Sequence, residues 1–237
     1  MQKRADKGKP TGEGTEDHRT TVISSQIFEN LRLAIIQQNL RPGHFLSEWD
    51  IARQFNVSRQ PVREAFIRLG DIGLVEIRPR RGTFVRLISL RELSTARFLR
   101  ETIEASFARI AAKRATAQDI ADLAAVLADH RILAQKDDYV GLLEHDEKFH
   151  RTLARIAGRE DAWPIINKLK APVDRARFLT VPNAASVHDI INQHEQIMLA
   201  IEEGDPDKAE AALLTHLHEI DNYLPSLQNQ YPYLFTE

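Results

Sequence analysis

The hydrophobic positions of "SSQIFENLRLAIIQQNL", Ile27, Leu31, Ile35 and Leu40, recur near the helical spacing. They predict a first helix from Ser24 that ends at the "RPG" of 41–43. A short second helix is predicted over 48–55, with the Ser47 hydroxyl as its cap and Asp50 three residues on, the outline of a capping box. After "NVS" a third helix opens. Ser58 suits its N-cap, Pro61 falls in the first turn where a missing N–H does no harm, and Val62, Ala65, Phe66 and Leu69 share one face. "LVEI", the turn "RPRRG" and "TFVRLI" then read as a two-stranded hairpin.

From Ser89 onward the period is helical throughout. Segments near 90–114, 117–135, 138–157, 160–179, 187–203 and 206–225 are parted by breakers such as "AGRED", "VPNAAS" and "EGDPD". The fold class is therefore mainly α, with three helices and a hairpin over 22–88 followed by an all-α bundle over 89–228. Residues 1–21, rich in Gly, Lys, Glu and Thr and lacking a hydrophobic repeat, are expected to form a disordered tail, and 229–237 a C-terminal one.

Composition narrows the class of chemistry. With 43% hydrophobic and 28% charged residues the chain can bury a real core. It has no run of 18 or more apolar residues and a polar N-terminus, so neither a membrane span nor a secretory signal is indicated, and a soluble cytoplasmic protein is expected. The absence of cysteine leaves His and carboxylates as the only plausible metal ligands. Charge is unevenly divided: residues 22–87 hold ten Arg, no Lys and six acidic residues, a balance of +4, whereas 88–237 carry −7. Only the first part suits a polyanion.

Three short helices and a hairpin, the third helix opening "SRQPVREAF", make a winged helix-turn-helix. Arg59 and Arg63, four residues apart on one face, can enter the major groove while Val62, Ala65 and Phe66 turn inward. Ser58 and Gln60 can reach a phosphate or a base edge. Arg78, Arg80 and Arg81 crowd a turn ending at Gly82, which suits a wing lying along the backbone or minor groove. A lone arginine-bearing helix could as well be a solvated face; the Arg density and the wing cluster favour DNA. The run "LRPGHFLSEWDIARQFNVSRQPVREAFIRLGDIGLVEIRPRRGTFV" closely resembles the N-terminal domain of the GntR family of bacterial transcription regulators. The resemblance implies that Arg59 and Arg63 contact bases or phosphates and that Gly82 sits at the wing tip. Trp49 departs from it, standing where many members carry a DNA-contacting arginine.

In the helical part, polar residues interrupt apolar stripes. Asp146 and His150, at i and i+4, fall in phase with Leu142, Leu143, Phe149, Leu153 and Ile156, whereas His145 does not. His194 interrupts the stripe of Ile190, Ile191, Ile197, Met198 and Ile201. His216 interrupts that of Ala209, Ala212, Leu213, Ile220 and Leu224, with His218 on the other face. One inward histidine is usually a satisfied core residue. Three with an aspartate must satisfy one another, hold water, or bind a cation, and a divalent metal serves all four at once: zinc first, with nickel or manganese as alternatives.

Residues 90–225 also resemble the FCD-type effector domain of the FadR-like branch of that family. Its metal-binding members share an Asp-x3-His, a later His before an "AI..GD" run, and a final His, a pattern met by Asp146, His150, His194 with "AIEEGD", and His216. The resemblance implies an effector, often a small organic acid, using open coordination positions beside the metal. Arg100, in phase with Ile103 and Phe107, is a candidate clamp for its carboxylate or else a partner of Glu104, and the family's "R..lE" pattern falls on these two; Arg175 and Arg177 in "DRARF" are weaker candidates. A homodimer is expected, because one winged helix covers only a half-site. Together these point to a metabolite-responsive DNA-binding repressor and not an enzyme. Two other readings are open: a metal-dependent enzyme, which lacks an obvious general base here, and a regulator sensing the metal itself.

Overall fold

A computed structural model describes residues 13–180 and 184–237. Helix α1 (Glu13–Ile36) begins well upstream of Ser24, so a disordered tail is wrong for 13–21; residues 1–12 lie outside the described residues. The cause is cooperativity. Burial of Ile27, Phe28, Leu31 and Ile35 secures a helical nucleus, and each added residue then brings its own hydrogen bond. At its other end α1 stops before Leu40, because the chain turns at Gln38 with φ 61°, and Leu40 packs on the same core from that turn.

The head continues with β1 (Phe45–Leu46), α2 (Glu48–Gln54), α3 (Arg59–Asp71), β2 (Val75–Arg78) and β3 (Gly82–Val85). Ser47 Oγ accepts the Asp50 N–H at 3.2 Å, whereas Ser58 occupies the N-cap of α3 without a side-chain capping bond. The expected hairpin gains a third antiparallel strand, in the order β1-β3-β2, with Phe45 opposite Phe84 and Ile77 opposite Thr83. Val62, Ala65, Phe66 and Leu69 of α3 close the core against α1 and the sheet, as their phase predicts.

After β4 (Ile88–Ser89) come α4 (Leu90–Arg114), α5 (Ala117–Gln135) and α6 (Tyr139–Ile156), near their expected bounds. The single helix expected over 160–179 is a 3-10 turn at Glu160–Ala162 followed by α7 (Trp163–Leu169) and α8 (Ala171–Thr180). Pro172 explains the break: it has no N–H for the preceding turn and its ring would clash there, but it is harmless in the first turn of a new helix. Helix α9 (Ala184–Glu202) follows; residues 181–183 of the expected breaker "VPNAAS" lie outside the described residues. Helix α10 (Pro206–Gln230) runs on through Pro225, and the expected C-terminal tail folds back as β5 (Phe235–Thr236), parallel to β4, with Leu234 buried. No helix of the described residues is long and apolar enough to cross a membrane.

The bundle core is built from Phe107, Leu123, Leu127, Phe149, Leu153, Ile197 and Leu213, among others, contributed by α4, α5, α6, α9 and α10. Helix α8 bridges the two parts of the chain. Ala171 joins the head's core, and Arg32 Nη1 on α1 stands 3.9 Å from Asp174 Oδ2.

Candidate metal centre and nucleic-acid interface

On the head, α2 and α3 bring Glu48 against both Arg59 and Arg63. Glu48 Oε2 accepts from Arg59 Nη2 at 2.5 Å and from Arg63 Nη2 at 3.2 Å, and Oε1 accepts from Arg63 Nε at 3.2 Å. These bonds, Arg63's foremost, hold the Glu48 carboxyl below its ordinary pKa despite an opposing effect of desolvation. Both guanidiniums are exposed and share this one carboxylate. Gln60 instead reaches along its helix to Glu64 at 3.0 Å. In the wing Arg78 pairs with Glu76 at 2.8 Å and lies 4.9 Å above the Phe84 ring, while Arg80 and Arg81 form the exposed turn. Gly82 has a more local task than marking a tip. It opens β3 at φ +100°, and a Cβ there would stand 2.3 Å from the Phe45 ring.

In the helical part, α6, α9 and α10 turn Asp146, His150, His194 and His216 into one buried cluster whose potential ligand atoms all lie within 4.8 Å of one another. Asp146 Oδ1 stands 3.4 Å from His194 Nε2, 3.8 Å from His216 Nε2 and 3.9 Å from His150 Nε2; His216 Nε2 is 3.1 Å from its counterpart in His150 and 3.2 Å from that in His194. Donors about 2 Å from a tetrahedral zinc would be roughly 3.3 Å apart, so the donor set fits an ion of that size.

The surroundings orient the imidazoles. His150 Nδ1 is 2.6 Å from Glu104 Oε2, and His216 Nδ1 is 3.0 Å from Gln193 Oε1, whose amide donates to Glu219 at 2.8 Å. Protons on the Nδ1 atoms of His150 and His216 would leave their Nε2 lone pairs facing the centre, the arrangement that supports metal ligands. The His194 ring is sandwiched between Phe149, with centroids 4.2 Å apart, and His130 at 5.5 Å. Burial, reinforced by the neighbouring imidazoles, pushes His194 and His216 well below the ordinary histidine pKa and so keeps them neutral, the ligand form. Burial alone would raise the carboxyls, but their partners prevail: the Arg177 guanidinium holds Asp146 well below the carboxylate range, and Arg100 foremost, with the His150 imidazole beside it, holds Glu104 down to about 2.

Beside the cluster a chamber of about 20 Å³ is lined by Arg100, Arg177, Thr180, His216, Glu219 and Tyr223. Arg100 donates to Glu104 at 2.7 Å, which is the pairing alternative and not a free clamp. Arg177, the weaker candidate from sequence, makes the closer link to the cluster by pairing with both oxygens of Asp146. Arg175 lines neither this chamber nor a second one walled by His130, Asp146 and Arg177; its Nη1 donates to the carbonyl of Arg86 in the linker between the two parts, at 2.8 Å.

The family model for bacterial regulatory proteins, gntR family, matches residues 23–85, and that for the FCD domain matches 96–219. The chain belongs to the GntR family. Among its relatives, the HTH-type transcriptional repressor RspR of Escherichia coli (strain K12) is 36% identical over 223 residues, 94% of this chain and 98% of the relative. The crystal structure of a putative transcriptional regulator GntR from Rhodococcus sp. RHA1 is 26% identical with a TM-score of 0.71, covering 87% of this chain and 99% of that one. E. coli McbR/YncC, at 20% identity and a TM-score of 0.73 over 88% and 98%, shares the fold. This GntR protein is thus a DNA-binding transcription regulator, and its family and relatives are regulators and not enzymes.

Some features of the regulator were not read from its sequence. Glu48 and Gln193 act through partners distant in the chain. His130, 1% exposed and bonded to Leu142 O at 2.9 Å, is in phase with Leu123, Val126 and Leu127, so the periodic argument used for the other histidines would have found it. Trp49 is 58% exposed, with the Arg53 guanidinium 4.6 Å above its ring, so Arg53 is the cation carried next to the unusual tryptophan.

Proposed function

We propose that this regulator is a homodimeric repressor, with a DNA-binding part over 22–88 and an effector-binding and dimerisation part over 89–228. In this reading its operator affinity is controlled by a small carboxylate-bearing metabolite bound beside a divalent metal, zinc first, held by Asp146, His150, His194 and His216. The carrying observation is the buried convergence of one carboxylate oxygen and three Nε2 atoms next to a chamber with two arginines. Repressors among the relatives, RspR for one, support the direction of control. In DNA binding, Arg59 and Arg63 read base edges, Ser58 and Gln60 add polar contacts, and Arg78, Arg80 and Arg81 carry the wing to the backbone, with Gly82 shaping it.

A bound metal would offer a Lewis-acidic coordination position to the acid's carboxylate. The protein's own groups do the rest: Glu104 and Gln193 fix two imidazoles, Phe149 and His130 hold the third, and Arg100 and Arg177 supply positive charge. At about 20 Å³ the chamber has room for a water and not for an organic acid. Room for an acid there calls for movement of the lining helices α4, α8, α9 and α10, the kind of movement a switch needs. The same small size favours a second reading, in which the metal itself is the signal.

The test is native mass spectrometry of the purified protein with operator binding measured in the presence of chelator, of zinc alone, and of zinc with a panel of small organic acids. A bound metal, lost on replacing His194 and His216 by Ala, and release from DNA only with acid present, are expected. Release by zinc alone selects the metal-sensing reading, and metal occupancy surviving both substitutions removes the ligand assignment.

A further inference from the structure

Arg177 does more than line the chamber. Its guanidinium lies in the bundle interior, its side chain 11% exposed, and both terminal nitrogens are spent on Asp146, Nη2 donating to Oδ1 at 2.6 Å and Nη1 to Oδ2. Oδ1 is the same oxygen that stands 3.4–3.9 Å from the three imidazole Nε2 atoms. One carboxylate thus serves two sites that each call for a cation. Arg177 also belongs to the walls of two chambers: one with Arg100, Thr180, His216 and Glu219, the other with His130, Leu142 and Asp146.

We infer that Arg177 is an internal stand-in for the metal, neutralising Asp146 when the cluster is empty and giving up part or all of that pair when a divalent cation enters. This rests on the metal reading above and adds an order to it. Two cations sharing a buried carboxylate repel each other at short range in a medium where screening is weak. Metal entry therefore turns the guanidinium into the chamber, where an acid's carboxylate is its natural partner. The metal comes first, and it readies the arginine for the acid.

The helix that carries Arg177 makes this more than a local exchange. On the same α8, Arg175 donates to the linker carbonyl of Arg86, and Asp174 holds Lys170 Nζ at 2.7 Å and lies 3.9 Å from Arg32 on α1 of the DNA-binding part. Lys170 in turn reaches Glu147, the neighbour of Asp146 on α6, at 2.9 Å. A change at Arg177 thus begins on a helix already tied to the metal-ligand helix, the linker and the head.

The full-length protein is stripped with chelator and titrated with zinc or nickel alone against a chromophoric chelator, in wild-type, Arg177→Gln and His194→Ala forms. Removing the competing cation tightens metal binding in Arg177→Gln by about tenfold to a hundredfold, the range of one or two charge-assisted hydrogen bonds, while its metal-free form melts lower than wild type. Equal or weaker metal binding by Arg177→Gln, with His194→Ala losing the metal, overturns the stand-in role and leaves the metal reading in place. A wild type that binds neither metal overturns both. Should Arg177→Gln not fold, arginine side-chain NMR of the wild type decides: the separate Nη signals of a locked guanidinium merge when zinc is added, and signals that stay locked overturn the inference.

Discussion

Replacing Arg175 with Met should stabilise this protein. The guanidinium is 1% exposed and among the largest fully buried side chains, yet only Nη1 has a partner, the Arg86 carbonyl at 2.8 Å, while Nε and Nη2 have none among the described residues. Burial, with a smaller contribution from the charge of Arg86, lowers its pKa from 12.5 to about 10. A base whose pKa falls on folding is bound less tightly to its proton in the native state, so the fold is penalised at every pH below the native value. At about 1.4 kcal/mol per tenfold, that penalty is on the order of 3 kcal/mol at neutral pH. Met has a similar reach without the charge, but it leaves the Arg86 carbonyl unpaired at a cost of about 1 kcal/mol. The net gain is about 2 kcal/mol, or roughly 4–8 °C in Tm for a protein of this size. Thermal melts of both forms at pH 7 check the sign. Melts carried above pH 10 check the cause, because the advantage of the variant must shrink as wild-type Arg175 sheds its proton. A variant that melts lower than wild type at pH 7, or an advantage that does not change with pH, would refute the reasoning. Metal content should be unaltered, since Arg175 lines neither chamber beside the cluster.

Glu104, held at about 2 by Arg100 and His150, contributes stability that is complete above its unfolded value of 4.5 and is lost as pH falls toward 2, on the order of 3 kcal/mol. Urea titrations from pH 6 down to pH 2.5 should show that loss in wild type, with a flatter profile in Glu104→Gln. Gly82→Ala should weaken the wing by more than about 1 kcal/mol, because it adds an unfavourable positive φ to a collision with the Phe45 ring; hydrogen exchange of β2 and β3 reads this directly. Arg63→Ala should lower specific DNA affinity by about 1–3 kcal/mol and relax preference at one base pair, measured by binding to operator variants at fixed salt. A loss that is uniform across all variants would instead make Arg63 a phosphate contact.

The sequence alone carried most of the helices in their order, the winged head and the four residues of the cluster. Each rests on local information: caps, breakers, charge density, and polar residues placed in phase with an apolar stripe, such as Asp146 beside Leu142 and Phe149. Periodicity says which way a side chain faces and nothing about what it meets there. It therefore ranked Arg100 above Arg177, although Arg100 is paired with Glu104 on its own helix while Arg177 crosses from α8 to Asp146 on α6. It could not see that Glu48 would join Arg59 to Arg63, or that residues 235–236 would return to pair with 88–89, because those partners are far apart in the chain. Helical phase is a property of one segment, whereas the partner of a buried charge depends on how segments cross, and here the packing of α8 against α6, α1 and the linker decided it.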